Sequence, residues 1–252
     1  MKLLKLISSL LGINPRAILA LRFLPRYFKE SRMFSAAGGS IEERFPILTD
    51  YKDSAGVAKG HYFHQDLLIA QKLFLNNPER HVDIGSRIDG FVAHVASFRE
   101  IELFDIRPIR TKLRNVTFRI QNLLELPDEF HGYSDSVSCL HALEHFGLGR
   151  YGDPIEPQGH IKGFNNLLEL TRRGGKLYIS VPVGRRRTVF NAHRIFSPFD
   201  LIHLSAEKAS LESYAYVDDH GDLWDEGDPR RLLSDSENME YGLGIYEFRK
   251  LV

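Results

Sequence analysis

From about residue 60 to the end of the chain, β-type runs alternate with helix-type runs. That alternation limits the possible folds more than any other feature of the sequence. "HQDLLIAQKLFLNN" (64–77) sets Leu67, Leu68, Ala70, Leu73 and Phe74 at helical spacing, and "HVDIGS" (81–86) is a short apolar strand closed by Gly and Ser. "DGFVAHVASF" (89–98) predicts a helix and "EIELFDIRP" (100–108) a strand. "NVTFRIQNLLELP" (115–127) opens as a strand with Val116, Phe118 and Ile120 alternating, and "SDSVSCL" (134–140) is another. "PQGHIKGFNNLLELTR" (157–172) predicts a helix stopped at Gly174-Gly175, followed by the strongly β "GKLYISVPV" (175–183). "SPFDLIHLSAEKA" (197–209) offers Ser197 as N-cap and Pro198 at the first helical position. "LESYAYVDD" (211–219) and "GIYEFRKLV" (244–252) complete the series. Strands separated by helices at this rhythm imply right-handed crossovers and a mostly parallel α/β sheet with helices on both faces. Such sheets bind ligands beyond the carboxyl ends of their strands.

The 252 residues suit one large domain with an extension, read here as residues 1–45 followed by a domain over 46–252. Lys plus Arg and Asp plus Glu stand at 33 each, so no overall field attracts nucleic acid. The single cysteine, Cys139, excludes an internal disulfide framework and suits a reducing cytoplasm. The charge is uneven. Residues 1–32 carry seven Lys/Arg against Glu30, a net +6, whereas "DDHGDLWDEGD" (218–228) is acidic. Leu3, Leu4, Ile7, Leu10 and Leu11 repeat at helical spacing among Lys2, Lys5, Ser8 and Ser9. Two readings of this basic amphipathic segment stand side by side. It lies on an anionic membrane surface, or it docks on the domain or on a second copy of the chain. The apolar runs are too short for a bilayer span, and no signal-peptide cleavage pattern follows them.

The strand ends carry the chemistry. After the first, Asp83, Gly85 and Ser86 combine an acidic residue with a tight turn before a helix, where backbone can approach an anionic ligand. After the second, Asp105-Ile106 stands twenty residues beyond Gly85, the offset of a carboxylate that binds ribose hydroxyls in nucleotide-binding βαβ units. After the third, Asn122-Leu123 offers an amide to an adenine edge. After the fourth comes "CLHALEHFG", with His141, Glu144 and His145.

In these motifs the sequence resembles a class I S-adenosylmethionine-dependent methyltransferase from about Tyr62 to Val252. "HVDIGS", "LFDIRP", "QNLLELP", "DSVSCLHALEHFG" and "RRGGKLYISVPV" stand where that family's successive motifs stand. The resemblance implies a Rossmann-like, mostly parallel seven-stranded sheet ending in an antiparallel hairpin. It implies S-adenosylmethionine as cofactor, held by Asp83, Gly85, Ser86, Asp105, Ile106, Asn122, Leu123 and His141. More narrowly, "HVDIGSRIDGF", "EHFGLGRYGDPI" and "HRIFSP" resemble methyltransferase-like proteins of unassigned function associated with surface-polysaccharide assembly, which implies a sugar or glycan-precursor hydroxyl as acceptor. One departure is Arg87, where the family often has glycine. A nicotinamide-binding domain would need G-x-G-x-x-G at the first turn, which this chain lacks.

A hydroxyl acceptor calls for a general base near neutral pH. His145 is the first candidate, with Glu144 to orient it and His160 as a further histidine. Arg150, Tyr151 and Asp153, with Arg185 and Arg186 after the fifth strand, are candidate substrate contacts, since arginine pairs with phosphate or carboxylate. Each has a plainer reading as a solvated or loop-holding group. His141-x-x-Glu144-His145 also spells an inverted zinc-peptidase motif. A strand running straight into His141, with Gly147 and Gly149 soon after, leaves little room for the helix that motif needs. No resident metal is therefore expected. A metal-assisted transferase with Glu144, His145 or Asp153 as ligands, and a zinc hydrolase, are the alternatives. Arg87 and the basic extension motivate a further one: a non-catalytic cofactor-binding or scaffold protein of a membrane-surface glycan assembly complex.

Overall fold

The computed structural model describes residues 15–252. The chain divides into two compact units, one ending at Val57 and the other running from Ala58 to Val252. The basic run over Leu3 to Leu11 lies outside the described residues. In the first unit, helices α1 (Pro15–Ala20) and α2 (Leu24–Ala36) are joined by a 3-10 turn over Leu21–Phe23. Glu30 accepts from Arg26 at 2.7 Å and from the Tyr51 hydroxyl at 2.6 Å, and Arg26 lies over the Tyr51 ring. No helix among the described residues is long and apolar enough to cross a membrane.

The second unit begins with α3 (His61–Asn76) and then β1 (His81–Ile84). A π-turn over Ile88–Val92 leads into the short α4 (Ala93–Ala96) and β2 (Ile101–Asp105). β3 (Val116–Ile120) and β4 (Ser134–Leu140) precede α5 (Gly159–Leu170) and the long β5 (Thr171–Val183). A small hairpin of β6 (Arg187–Val189) and β7 (His193–Ile195) comes next, then α6 (Asp200–Ser205) and β8 (Ala209–Val217). The two-residue β9 (Leu223–Trp224), α7 (Pro229–Ser236) and β10 (Gly242–Lys250) finish the chain.

The main sheet runs β3-β2-β1-β4-β5-β10-β8-β9. β1 to β5 pair in parallel, and β10 lies antiparallel between β5 and β8. This is the expected mixed α/β sheet with its antiparallel closing pair, extended by β9 at one edge. The strand order reverses beside β1 and β4, which opens a crevice between their carboxyl ends. The two faces carry separate cores. Phe164, Leu167 and Leu168 of α5 pack with Leu201, Leu232 and Leu233 on one face, and Ile69, Ala70 and Leu73 of α3 with Phe91, Val92 and Val95 on the other.

β8 and β10 form the expected antiparallel closing pair, with β9 and α7 between them in the chain. Two local expectations are corrected. The buried face of α3 is Gln65, Asp66, Ile69, Ala70 and Leu73, whereas Leu67 and Phe74 are exposed. Polar residues take part of this face because they are bonded. Gln65 Oε1 accepts from Ser180 Oγ at 2.6 Å, and Gln65 Nε2 donates to Asp66 Oδ1 at 3.0 Å. The helix before β5 ends at Leu170 rather than at the Gly pair, because Thr171 already pairs with Ser134 of β4.

Beneath the crevice, β1 and β4 are pinned by polar groups with no access to water. His81 is 1% exposed, its ring nitrogens 2.8 Å from Ser136 Oγ and 3.0 Å from Ser138 Oγ. Burial, with Arg99 nearby, pushes His81 from 6.5 down to about 3. The unfolded chain takes up a proton there first. The stability His81 contributes is therefore complete above pH 6.5 and lost as pH falls toward 3. Between pH 6.5 and 5 the loss is about 2 kcal/mol at roughly 1.4 kcal/mol per pH unit. Asp83 acts in the opposite sense. Burial raises it to about 7, so its contribution is present below pH 3.8 and lost as pH rises through 7. Urea unfolding at pH 7.5, 6.5 and 5 is expected to show His81→Asn losing less stability on acidification than the parent chain. Equal losses would refute the buried neutral imidazole.

Candidate functional site

A cavity of about 520 Å³ opens at the carboxyl ends of β1 to β4, within the roughly 300–1,000 Å³ typical of small-molecule clefts. Each strand end contributes to its wall: Gly85 and Ser86, then Asp105 and Ile106, then Asn122 and Leu123, then His141. The register explains this convergence, since Asp83 pairs with Leu103 and with Ser138, aligning the ends of β1, β2 and β4.

Gly85 has φ +74, and a Cβ there would meet the Ala142 Cβ at 3.2 Å, so the turn needs glycine for both backbone and space. Its N–H donates to Phe104 O at 2.9 Å. Asp83 is wholly buried behind the turn rather than on the cleft wall. It accepts from Ser86 N at 3.0 Å and from the Ser86 hydroxyl at 2.8 Å, bracing the loop that the cleft faces. Arg87 sits in ordinary extended backbone, φ −72 and ψ 137, so no glycine is required there. Its guanidinium pairs with Asp89 at the surface.

Asp105 faces the cleft with both oxygens engaged by Arg107, Nε at 3.0 Å and Nη2 at 2.6 Å. The Arg107 side chain is half exposed, so the pair is one that a ligand can open. Asn122 Oδ1 accepts from Leu124 N at 3.0 Å, which leaves its amide NH₂ as the group it offers.

The far end of the cleft is a histidine cluster. His141 follows β4 with φ +55, a conformation that a histidine adopts only where its surroundings hold it there. Its N–H is bonded to Ser180 O and to Ser180 Oγ. Its Nδ1 bonds to Glu144 Oε1, and its Nε2 lies 3.1 Å from His61 Nδ1. Glu144 itself is 0% exposed. Burial pushes its carboxyl up, but the charges and hydrogen bond of His141, with His145, outweigh that and hold it below the usual range. His145 Nδ1 donates to Ala192 O at 2.7 Å, and its Nε2 lies 3.5 Å from Glu144 Oε1. Burial lowers His145, and burial together with the adjacent His141 lowers His61 to about 4.

The loop after this cluster, residues 146–157, is held from within. Asp153 Oδ2 accepts from Gly147 N at 2.9 Å and Gly149 N at 3.2 Å, and Oδ1 from Tyr151 N. The Arg194 guanidinium, buried under the loop, donates to Phe146 O at 2.7 Å and Pro157 O at 3.2 Å. Arg150 and Tyr151 line the cleft, and Tyr151 lies against the Arg107 guanidinium. His160 lies outside the cleft, against Phe196, and Arg185 and Arg186 also lie outside it, Arg186 paired with Asp200.

Several lining residues are not among the sequence candidates: Tyr62, Gln65 and Asp66 on α3 and Tyr241 before β10, which lie outside every motif, and Arg107, Gln121 and His193, which lie inside "LFDIRP", "QNLLELP" and "HRIFSP". The one usable signal was polar Gln65-Asp66 inside an otherwise apolar helical run. His193 and Tyr241 reach the cleft only through the β6–β7 hairpin and the β10 approach, both built by distant pairing.

Solved structures with this fold include the [4+2]-cyclase SpnF, with a TM-score of 0.56 at 14% identity over 93% of this chain and 96% of that one. The N-methyltransferase NodS from Bradyrhizobium japonicum WM9 gives 0.51 at 13% identity over 78% and 100%. The 1,6-didemethyltoxoflavin-N1-methyltransferase of Burkholderia thailandensis, solved with 1,6-didemethyltoxoflavin and S-adenosylhomocysteine, gives 0.51 at 14% over 94% and 88%. At such identities the likeness is one of fold. No curated protein matches the sequence. Residues 95–221, half of the chain, match the family described as "Caenorhabditis protein of unknown function, DUF268", and the chain belongs to that family.

Proposed function

We propose that this chain is an S-adenosylmethionine-dependent methyltransferase whose acceptor is a hydroxyl, of a sugar or glycan precursor in the narrower reading. The observation that carries it is the order of groups along one cleft. Across the sheet its rim reads Asn122 after β3, Asp105 at β2, Gly85 after β1 and His141 after β4, which matches adenine, ribose, sulfonium and acceptor in turn. The turn at Gly85 takes the methionine part, Asp105 the ribose hydroxyls and the Asn122 amide the adenine edge. The sulfonium supplies the methyl group. What the chain adds is placement of the acceptor oxygen and a group to take its proton. His141 and His145 stand at that end of the cleft, with Arg150 and Tyr151 beside them to hold the acceptor. Work beside a membrane surface, through residues 1–32, belongs to the same proposal.

One observation favours a second reading, in which the cleft binds a nucleoside without transferring methyl: the fold is shared with a protein known as a cyclase. Calorimetry of the full chain with S-adenosylmethionine tests the first step, and one-to-one binding is expected. No heat at millimolar ligand would exclude both readings. Binding without label transfer from methyl-labelled S-adenosylmethionine to any of a panel of sugar and sugar-nucleotide acceptors would leave only the second.

A further inference from the structure

We propose that His141 Nδ1, Glu144 Oε1 and His145 Nε2 form a three-ligand site for a divalent transition-metal ion, with its open position toward the cleft. One ligand atom from each of the three residues lies within 4.8 Å of the other two. A tetrahedral ion with bonds of about 2.0–2.2 Å holds its ligand atoms roughly 3.3 Å apart. The separation of His145 Nε2 from Glu144 Oε1, 3.5 Å, already matches that spacing.

The hydrogen bonds around the cluster are those of ligands held from behind. The carbonyl of Ala192 can only accept, so the bond at 2.7 Å places a proton on His145 Nδ1. Nε2 is then the ring atom turned to Glu144 Oε1, 3.5 Å away. A backbone carbonyl on the remote nitrogen is also the usual way a metal-binding histidine is oriented. His141 is oriented by a second imidazole, its Nε2 3.1 Å from His61 Nδ1, so that Nδ1 is the atom presented to Glu144.

Glu144 supplies the independent observation. It is 0% exposed, and its Oε2 has no hydrogen-bond partner among the described residues. A fully buried carboxylate is costly without a compensating charge, and a cation bound through Oε1, or through both oxygens so that Oε2 is also satisfied, supplies it. Metal entry displaces the proton between His141 Nδ1 and Glu144, and that proton is released to solvent.

The arrangement is not that of an inverted zinc peptidase. His141 stands before the 3-10 turn over Leu143–His145 at φ +55, so no helix carries both histidines, and Glu144 is buried as a ligand instead of facing a substrate water. Two imidazoles and one carboxylate suit zinc or ferrous iron, with cobalt as a spectroscopic stand-in. In the methyl-transfer reading the open position takes the acceptor oxygen, yet the site itself does not depend on that reading.

The test is cobalt titration of the full-length, chelator-treated chain, followed by visible absorption and by metal analysis after zinc loading. One equivalent is expected, with the intense bands of a low-coordinate cobalt ion. Glu144→Gln and His145→Asn are each expected to weaken binding at least tenfold, and the surface variant His220→Ala to leave it unchanged. Thermal melts of each variant establish that it is folded. Less than one equivalent on the parent chain, or unaltered affinity in a folded Glu144→Gln or His145→Asn chain, would overturn the site and leave an imidazolium–carboxylate pair. Calorimetry with S-adenosylmethionine on the same samples reports on the donor separately, so failure of either idea is seen without the other.

Discussion

Asp105→Ala is expected to weaken S-adenosylmethionine binding by about 100-fold, with little change in stability. The carboxylate stands at the carboxyl end of β2 on the cleft wall, where two vicinal hydroxyls can each donate to one oxygen. Hydrogen bonds to a charged group contribute roughly 1.5–3 kcal/mol each, and about 1.4 kcal/mol is tenfold in affinity. The stability change is small because the partner lost is Arg107, whose side chain is half exposed, and such pairs contribute about 1 kcal/mol or less. The donor must displace Arg107 to reach Asp105, so Arg107→Ala is expected to bind at least as tightly as the parent chain. Calorimetry on the three proteins reads both results. Full retention of affinity in a folded Asp105→Ala chain would remove Asp105 from the ribose place and, with it, the assignment of the cleft.

The sheet was legible because its signals are local. Apolar runs such as Val82 to Ile84 and Leu177 to Val183 are central strands, and helices between them dictate parallel pairing. The strand-end residues were legible for the same reason, since strand order and side-chain alternation alone bring Gly85, Asp105, Asn122 and His141 to one rim. What sequence could not show is which side of that rim a side chain takes. Asp83 and Gly85 are two residues apart, yet one is buried as a brace and the other lines the cleft. Glu144 and His145 are adjacent, and the 3-10 turn sends the carboxylate inward between two imidazoles. "LEH" read as a string does not distinguish an orienting carboxylate from a solvated one. Contacts that cross the fold were also silent. His61 meets His141, and His193 enters the cleft from the β6–β7 hairpin, through pairings no spacing rule encodes.

The sequence does hold one long-range relation that the structure explains. "EHFGLGRYGDPI" and "HRIFSP" are far apart in the chain, and Arg194 is the link between them. Its guanidinium donates to the carbonyls of Glu144, Phe146 and Pro157, so one side chain from β7 closes both ends of the loop. The loop cannot satisfy these carbonyls itself, because its own N–H groups at Gly147, Gly149 and Tyr151 are turned inward to Asp153. Glycine is needed at 147 because any Cβ there would collide with Glu156 O. Arg194→Met keeps the length of the side chain and removes every donor. It leaves three carbonyls unsatisfied in a site where Arg194 is 6% exposed. Such a loss is expected to cost about 3–5 kcal/mol. At roughly 2–4 °C per kcal/mol, the melting temperature falls by about 6–20 °C. Because the damage is at the loop and not in the core, limited proteolysis is expected to nick residues 146–157 first. The wall formed by Arg150 and Tyr151 is then lost while Asp105 stays in place, so acceptor turnover should fall more than donor affinity. A variant that melts with the parent chain and resists proteolysis there would show that the loop stands without Arg194, and that the two motifs are linked by something other than this clamp.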